Sequence, residues 1–165
     1  MIIDETERLI IKEFDEEEFT IGCECFNMFD DEGHEYTIDM MKAYKELAYG
    51  FFGYGYYGLF LKDGTPVGCA GFREGSCPPE IGYALFPKYR GMGLATEAVQ
   101  SLTEWAMEDF LWCLEEEPAE SFNELGSSEE RYIYEYQGKP LVYAKIDKKN
   151  IKSARVLERC GYVKK

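Results

Sequence analysis

The sequence predicts a mixed α/β domain, and three observations carry that prediction. Segments with strand and helix periodicity alternate along the chain. One pair of strand-like runs is joined by a tight Asp63-Gly64 turn. A glycine-rich stretch, "YRGMGLATEA" from Tyr89 to Ala98, leads from a strand into a long helix.

The elements follow in order. "RLIIKEF" (Arg8 to Phe14) reads as the first strand, and "DEEEF" from Asp15 begins a helix with an acidic first turn. "TIDMMKAYKELAY" (Thr37 to Tyr49) places Met40, Met41, Tyr44, Leu47 and Ala48 on one helical stripe, expected to be a core face. Tyr56 to Lys62 and Thr65 to Phe72 form the hairpin. "EIGYALF" (Glu80 to Phe86) is a further strand, ended by Pro87. A helix runs from Gly93 to about Leu111, with Leu94, Ala98, Leu102, Trp105 and Ala106 on its apolar side. Glu115-Glu116-Glu117 marks its exposed end. "LVYAKI" (Leu141 to Ile146) is a strand, followed by the helix "IKSARVLERC" and Gly161.

Composition bounds what such a chain can do. At 165 residues, with 45% hydrophobic and 30% charged residues, it is expected to form one soluble domain with a substantial core. No apolar run approaches the roughly 20 residues of a membrane span, and the first residues lack signal-peptide character, so the expected location is cytoplasmic. The six cysteines form no CxxC pair and read as reduced, mostly buried groups. His34 is the only histidine and lies in the acidic loop "DDEGHE", so no metal site and no Ser-His-Asp triad is expected. The formal net charge of −14 argues against nucleic acid and against an anionic membrane as partners. That charge is uneven. Residues 139–165 carry nine Lys and Arg against Asp147 and Glu158, a balance of +7 that leaves −21 on the remainder. A basic segment on an acidic body suits a polyanionic ligand at one place and a cationic substrate at another; a solvated basic helix face is the plainer account.

Glycines ahead of a helix leave N–H groups free at the positive end of the helix dipole, a place that suits a phosphate. "GYGYYG" (Gly53 to Gly58) also matches a dinucleotide fingerprint, but it follows a helix and enters a strand, so close aromatic packing explains it better. "RGMGLATEA" carries Glu97 where a third glycine would stand and has no Gly-Lys-Ser/Thr, which argues against Rossmann and P-loop sites.

The strand ending "YALFPKY", followed by Arg90-Gly91-Met92-Gly93-Leu94-Ala95 opening a helix, resembles the R/Q-x-x-G-x-G/A signature of GNAT-type acetyltransferases. Asn150-Ile151-Lys152-Ser153 through "VLERCGY" looks like the family's N-x-x-S…G-F/Y element, and "ETERLIIKEF" is similar to the opening strand of the branch containing ribosomal-protein N-terminal acetyltransferases. The resemblance implies a mixed, mostly antiparallel central sheet flanked by helices and splayed at the acetyl-CoA site. It implies a single acetyltransferase domain over residues 1–165, with an inserted segment at about 112–140.

It further implies that acetyl-CoA is the cosubstrate, its pyrophosphate held by the backbone from Gly91 through Met92, Gly93 and Leu94 to Ala95, with Arg90 at the mouth. Leu85 matches the position whose backbone meets the pantetheine arm, and Asn150 and Ser153 line the far side. The implied reaction is direct attack of an amine, a cationic one in view of the acidic body, on the thioester. Glu80 is the candidate general base and an exposed strand-end carboxylate its other reading. Many relatives have a tyrosine four residues after Ser153 where this chain has Leu157, so Ser153 is the candidate acid, with helix capping or packing as its other role. The alternative function is a non-catalytic coenzyme A-binding or partner-binding domain that keeps the fold; a nucleotide-binding α/β domain is a third.

Relatives continue after the G-F/Y element into a final strand, and this chain ends at Lys165, too soon for a full one. Tyr132, Tyr134 and Tyr136 alternate within Arg131 to Tyr136, and "QGKP" can turn the chain. The expectation is that Arg131 to Tyr136 folds antiparallel onto Leu141 to Ile146 in place of that strand. A homodimer that completes the edge with a second subunit, or a truncated chain, is the rival account.

Overall fold

The computed structural model describes residues 1–29, 33–109 and 130–165. Five strands form one antiparallel sheet in sequence order: β1 (Ile2–Glu5), β2 (Leu9–Lys12), β3 (Tyr56–Leu61), β4 (Pro66–Phe72) and β5 (Ile81–Leu85). A second antiparallel sheet has the order β7 (Tyr143–Asp147), β6 (Arg131–Tyr136), β8 (Tyr162–Lys164). The predicted hairpin forms, with Leu59 opposite Gly68 and Tyr57 opposite Ala70. Strand β1 escaped the sequence reading because its four residues, IIDE, show no sustained alternation and only pairing with β2 orders them.

Helices cover both faces of the sheet. Asp15 and Glu18 form a capping box ahead of α1 (Phe19–Phe29). The Thr37 side chain caps α2 (Ile38–Tyr44), which continues as a π-helix over Lys45–Phe52. This pair buries Phe19, Phe26 and Met41 in one cluster with Phe14 and Cys69. On the other face, α3 (Leu94–Asp109) sets Leu94, Ala98, Leu102 and Ala106 on Leu9, Ile11, Leu59 and Val67. Each fully buried Leu, Ile or Val among these contributes about 1.5–3 kcal/mol, and each Ala less. Helix α4 (Ile151–Arg159) lies beside α3 and buries Leu157 completely.

Several expectations need correction. Met40 and Leu47 are 43% and 47% exposed, because burial centres on Met41 and Ala48, and neighbouring residues sit about 100° around the helix. Cys23, Cys25, Cys69 and Cys160 are free thiols as expected, whereas Cys77 is disulfide-bonded. The chain does form a last strand, although β8 has only three residues. The expected end of the long helix near Leu111, Glu115-Glu116-Glu117 and part of the acidic loop lie outside the described residues. Among the described residues, no helix is long and apolar enough to cross a membrane, and no group of His, Cys, Asp or Glu could hold a metal ion.

Strand β6 pairs antiparallel with β7 as anticipated, Tyr132 opposite Ile146 and Tyr134 opposite Ala144. The other edge of β6 is covered by β8, Tyr136 facing Tyr162. Both edges of the inserted strand are thus paired, which removes the exposed ladder that an edge strand presents.

Candidate active site

Among the described residues, one backbone bridge joins the two sheets. Glu80, just before β5, makes a single parallel bridge to Tyr143 at the start of β7, and the Tyr143 N–H donates to the Pro79 carbonyl at 3.0 Å. No further pairing links β5 and β7 among the described residues, so the strands part beyond Glu80. This is the splay that the resemblance implied.

At the closed end of the splay, Glu80 is held by its neighbours. Its N–H donates to Ser76 Oγ at 2.9 Å, and its Oε2 accepts from the Tyr143 hydroxyl at 3.2 Å and from Arg73 Nη1 at 3.5 Å. Burial, and then the charge of Glu80, pushes the Tyr143 phenol well above its ordinary value. The Tyr56 phenol is raised for the same two reasons, and its hydroxyl lies 3.1 Å from where a Cβ on Gly82 would stand. Glu80 and Gly82 therefore face the aromatic layer under α1, where Phe29 and Tyr56 rings lie 4.8 Å apart.

The opposite face of β5 looks toward α4. The Tyr83 hydroxyl donates to the Ser153 carbonyl at 3.4 Å, and burial pushes that phenol up to about 12. Asn150 caps α4, its Oδ1 accepting from the Ser153 N–H at 3.1 Å. The structure thus brings Glu80 to Tyr143 and Ser153 to Tyr83, while Glu80 and Ser153 themselves stand on opposite faces of the strand. Neither tyrosine was singled out from the sequence. The alternation in "EIGYALF" put Tyr83 and Glu80 on opposite faces, but nothing local named the helix that Tyr83 meets.

At the open end lies the glycine loop. A 3-10 turn, Pro87–Tyr89, carries the chain from β5 to Arg90, whose Nε donates to the Leu85 carbonyl at 2.9 Å. Arg90 therefore binds the carbonyl of the residue expected to meet the pantetheine arm. Gly91 and Gly93 both have φ of +79°, in the left-handed region that favours glycine. The N–H groups of Gly91, Met92 and Gly93 make no hydrogen bond to another described residue, and Leu94 and Ala95 follow at the start of α3, an arrangement of donors that suits an anion. The rejected "GYGYYG" match is structural: a Cβ on Gly55 would come within 2.7 Å of both Ala48 Cβ and the Tyr44 hydroxyl.

Sequence reasoning missed what stands behind the loop. Arg8 donates from Nε to Glu97 Oε1 at 2.9 Å and from Nη1 to the Met92 carbonyl at 2.8 Å. Glu97 Oε2 also accepts from the Arg8 N–H at 3.0 Å and the Thr6 hydroxyl at 2.5 Å. Burial alone would raise the Glu97 carboxyl, but the hydrogen bonds from Thr6 and Arg8 outweigh it and hold the group below its ordinary 4.5.

A family model described as "Acetyltransferase (GNAT) domain" matches residues 8–163. No curated protein sequence matches the chain at a significant level. Among solved structures, an acetyltransferase from Agrobacterium tumefaciens is 24% identical with a TM-score of 0.57, over 96% of this chain and 81% of that one. RimL, a ribosomal-protein alpha-N-acetyltransferase in complex with coenzyme A, is 16% identical with a TM-score of 0.63, over 97% and 82%. The Vibrio cholerae spermidine N-acetyltransferase, in complex with coenzyme A and spermine, is 13% identical with a TM-score of 0.65, over 97% and 83%. These likenesses confirm the fold class that the resemblance implied, and the family match goes further, since it spans the opening strand, the glycine loop and α4 alike. The chain belongs to the GNAT family of acetyltransferases, whose cosubstrate is acetyl-CoA.

Proposed function

We propose that this protein transfers the acetyl group of acetyl-CoA to a primary amine by direct attack, with both substrates in the splay between β5 and β7. One observation carries the reading: a single bridge at Glu80 and Tyr143 closes one end of the splay, and the free N–H groups of the glycine loop lie at the other. In this reading Gly91, Met92, Gly93, Leu94 and Ala95 hold the pyrophosphate. Leu85, Arg90, Asn150 and Ser153 border the path of the pantetheine arm.

Glu80 accepts the proton that the amine loses as it attacks the thioester carbon. Its Oε2 is engaged by Tyr143 and Arg73, while Oε1 has no hydrogen bond to another described residue and is left for the amine or a water. As the carbon–sulfur bond breaks, the electron pair leaves on sulfur, and the Ser153 hydroxyl supplies its proton and recovers one from solvent. Leu157, fully buried in the core, offers no such group. Much of the rate comes from holding amine and thioester together, an effect worth up to roughly 7–11 kcal/mol in well-oriented systems.

The acidic body favours a cationic acceptor, such as a protein N-terminus, a polyamine or an aminoglycoside. The alternative, a domain that binds coenzyme A without turnover, is separated by one experiment. Release of free thiol from acetyl-CoA is followed across a panel of N-terminal peptides, polyamines and aminoglycosides. Amine-dependent release supports the transferase; binding of acetyl-CoA with no release from any amine supports the alternative.

A further inference from the structure

We propose that Arg8 is a positioning residue for the cofactor's pyrophosphate, acting through the backbone of the glycine loop and through Glu97. The inference rests on the acetyl-CoA reading of that loop and adds to it a residue 84 positions away in the sequence.

Two features of the geometry support it. The first is the orientation of a peptide. Arg8 Nη1 holds the Met92 carbonyl at 2.8 Å. In a trans peptide the carbonyl and the following N–H point in opposite directions, so fixing the Met92 carbonyl toward Arg8 aims the Gly93 N–H away from it, toward the proposed pyrophosphate site. Arg8 Nη2 lies 3.4 Å from where a Gly93 Cβ would stand, which places the guanidinium directly behind the loop.

The second is charge. Glu97 lies in the first turn of α3, at the same dipole end that is to receive a pyrophosphate. An unrestrained carboxylate there would repel the ligand and compete for the free N–H groups. Arg8 and Thr6 bind both of its oxygens instead, and Arg8 cancels its charge. Arg8 thus serves binding in two ways: it orients a donor and it silences an anion. A simple fold-holding ion pair would do only the work of docking β2 on α3.

The test is calorimetric titration with acetyl-CoA and with acetyl-pantetheine, which lacks the pyrophosphate and nucleotide. The proteins are wild type, Arg8→Gln, Arg8→Lys, Glu97→Gln and the double variant Arg8→Gln/Glu97→Gln, each checked for a cooperative melt. Arg8→Gln should weaken acetyl-CoA roughly ten- to one-hundred-fold and leave acetyl-pantetheine within about two-fold. Adding Glu97→Gln should recover at least about three-fold of the lost acetyl-CoA affinity, since the freed carboxylate is then gone. Equal losses with both ligands, or no loss with either, would overturn the proposal, and a double variant no tighter than Arg8→Gln would overturn its charge component. Should Arg8→Gln not fold, Arg8→Lys carries the test, because it keeps the charge but cannot span both acceptors; it should weaken acetyl-CoA alone, about three- to ten-fold. Wild type that binds neither ligand would overturn the cofactor reading itself, an outcome distinct from equal losses in the variants.

Discussion

The Tyr143 hydroxyl donates to Oε2 of Glu80 at 3.2 Å, beside the one backbone bridge that joins the ends of β5 and β7 among the described residues. This bond ties the candidate base to the closed end of the splay, so its position is set together with the bridge that ends the strand pairing. Glu80→Gln should lower kcat by about a hundred-fold or more while acetyl-CoA affinity stays within about two-fold. Its rate should keep rising with pH where wild type has levelled off, because only free amine then reacts. Steady-state kinetics between pH 6 and 10 check this. An unaltered kcat and pH profile would remove Glu80 as base.

Ser153 separates binding from chemistry. If its hydroxyl protonates the departing thiolate, Ser153→Ala should lower kcat by roughly ten-fold or more with little change in acetyl-CoA affinity, because the interaction belongs to the transition state. A raised KM at constant kcat would reduce the residue to a lining of the pantetheine path. Asn150 Oδ1 bonds the backbone N–H of residue 153, not its hydroxyl, so the helix cap survives the change.

Gly93 combines a φ of +79° with Arg8 Nη2 at 3.4 Å from the missing Cβ. Gly93→Ala should cost about 1–2 kcal/mol of stability from the left-handed backbone alone. Gly93→Asp adds a negative charge in the glycine loop and should weaken acetyl-CoA by at least about a hundred-fold, in a protein that still folds. Thermal melts and titration of both variants separate strain from charge. A folded Gly93→Asp protein that binds acetyl-CoA normally would refute the placement of the pyrophosphate.

Buried tyrosines set the alkaline limit of stability. Burial is the leading cause that raises the phenols of Tyr44, Tyr57, Tyr83 and Tyr162 above their ordinary 10, with Tyr83 at about 12. Once pH passes 10 the unfolded chain has released these protons while the folded chain still holds them, so the unfolded state binds fewer and stability falls as pH rises. The contribution is fully present below pH 10 and lost between 10 and the higher folded values. Absorbance at 295 nm should therefore show a late, cooperative rise in tyrosinate that coincides with loss of far-UV circular dichroism. A smooth titration centred on 10 with intact secondary structure would contradict the burial of these rings.

Sequence alone determined the parts whose physics is local. The Asp63-Gly64 hairpin, the Pro87 stop, the Asp15 start of α1 and the glycine loop before α3 each depend on a few adjacent residues, and each stands where the sequence places it. The pairing of Arg131–Tyr136 with Tyr143–Asp147 was legible for the same reason, since a short turn leaves two alternating runs little choice. Only the tertiary structure decided what meets across the fold. Glu80 and Tyr143 are 63 residues apart, Tyr83 and Ser153 are 70, and Arg8 and Glu97 are 89. No periodicity records such contacts, because they depend on which strands pair, in what register, and where pairing ends. Met40 and Leu47 were misplaced for a related reason: their stripe is helical, but the face a helix buries is chosen by the sheet beneath it. The candidate site is divided the same way. Its glycine loop and helix start are written in five consecutive residues, Gly91 to Ala95, whereas the Glu80–Tyr143 and Tyr83–Ser153 contacts and the arginine behind the loop exist only because distant elements bring them together.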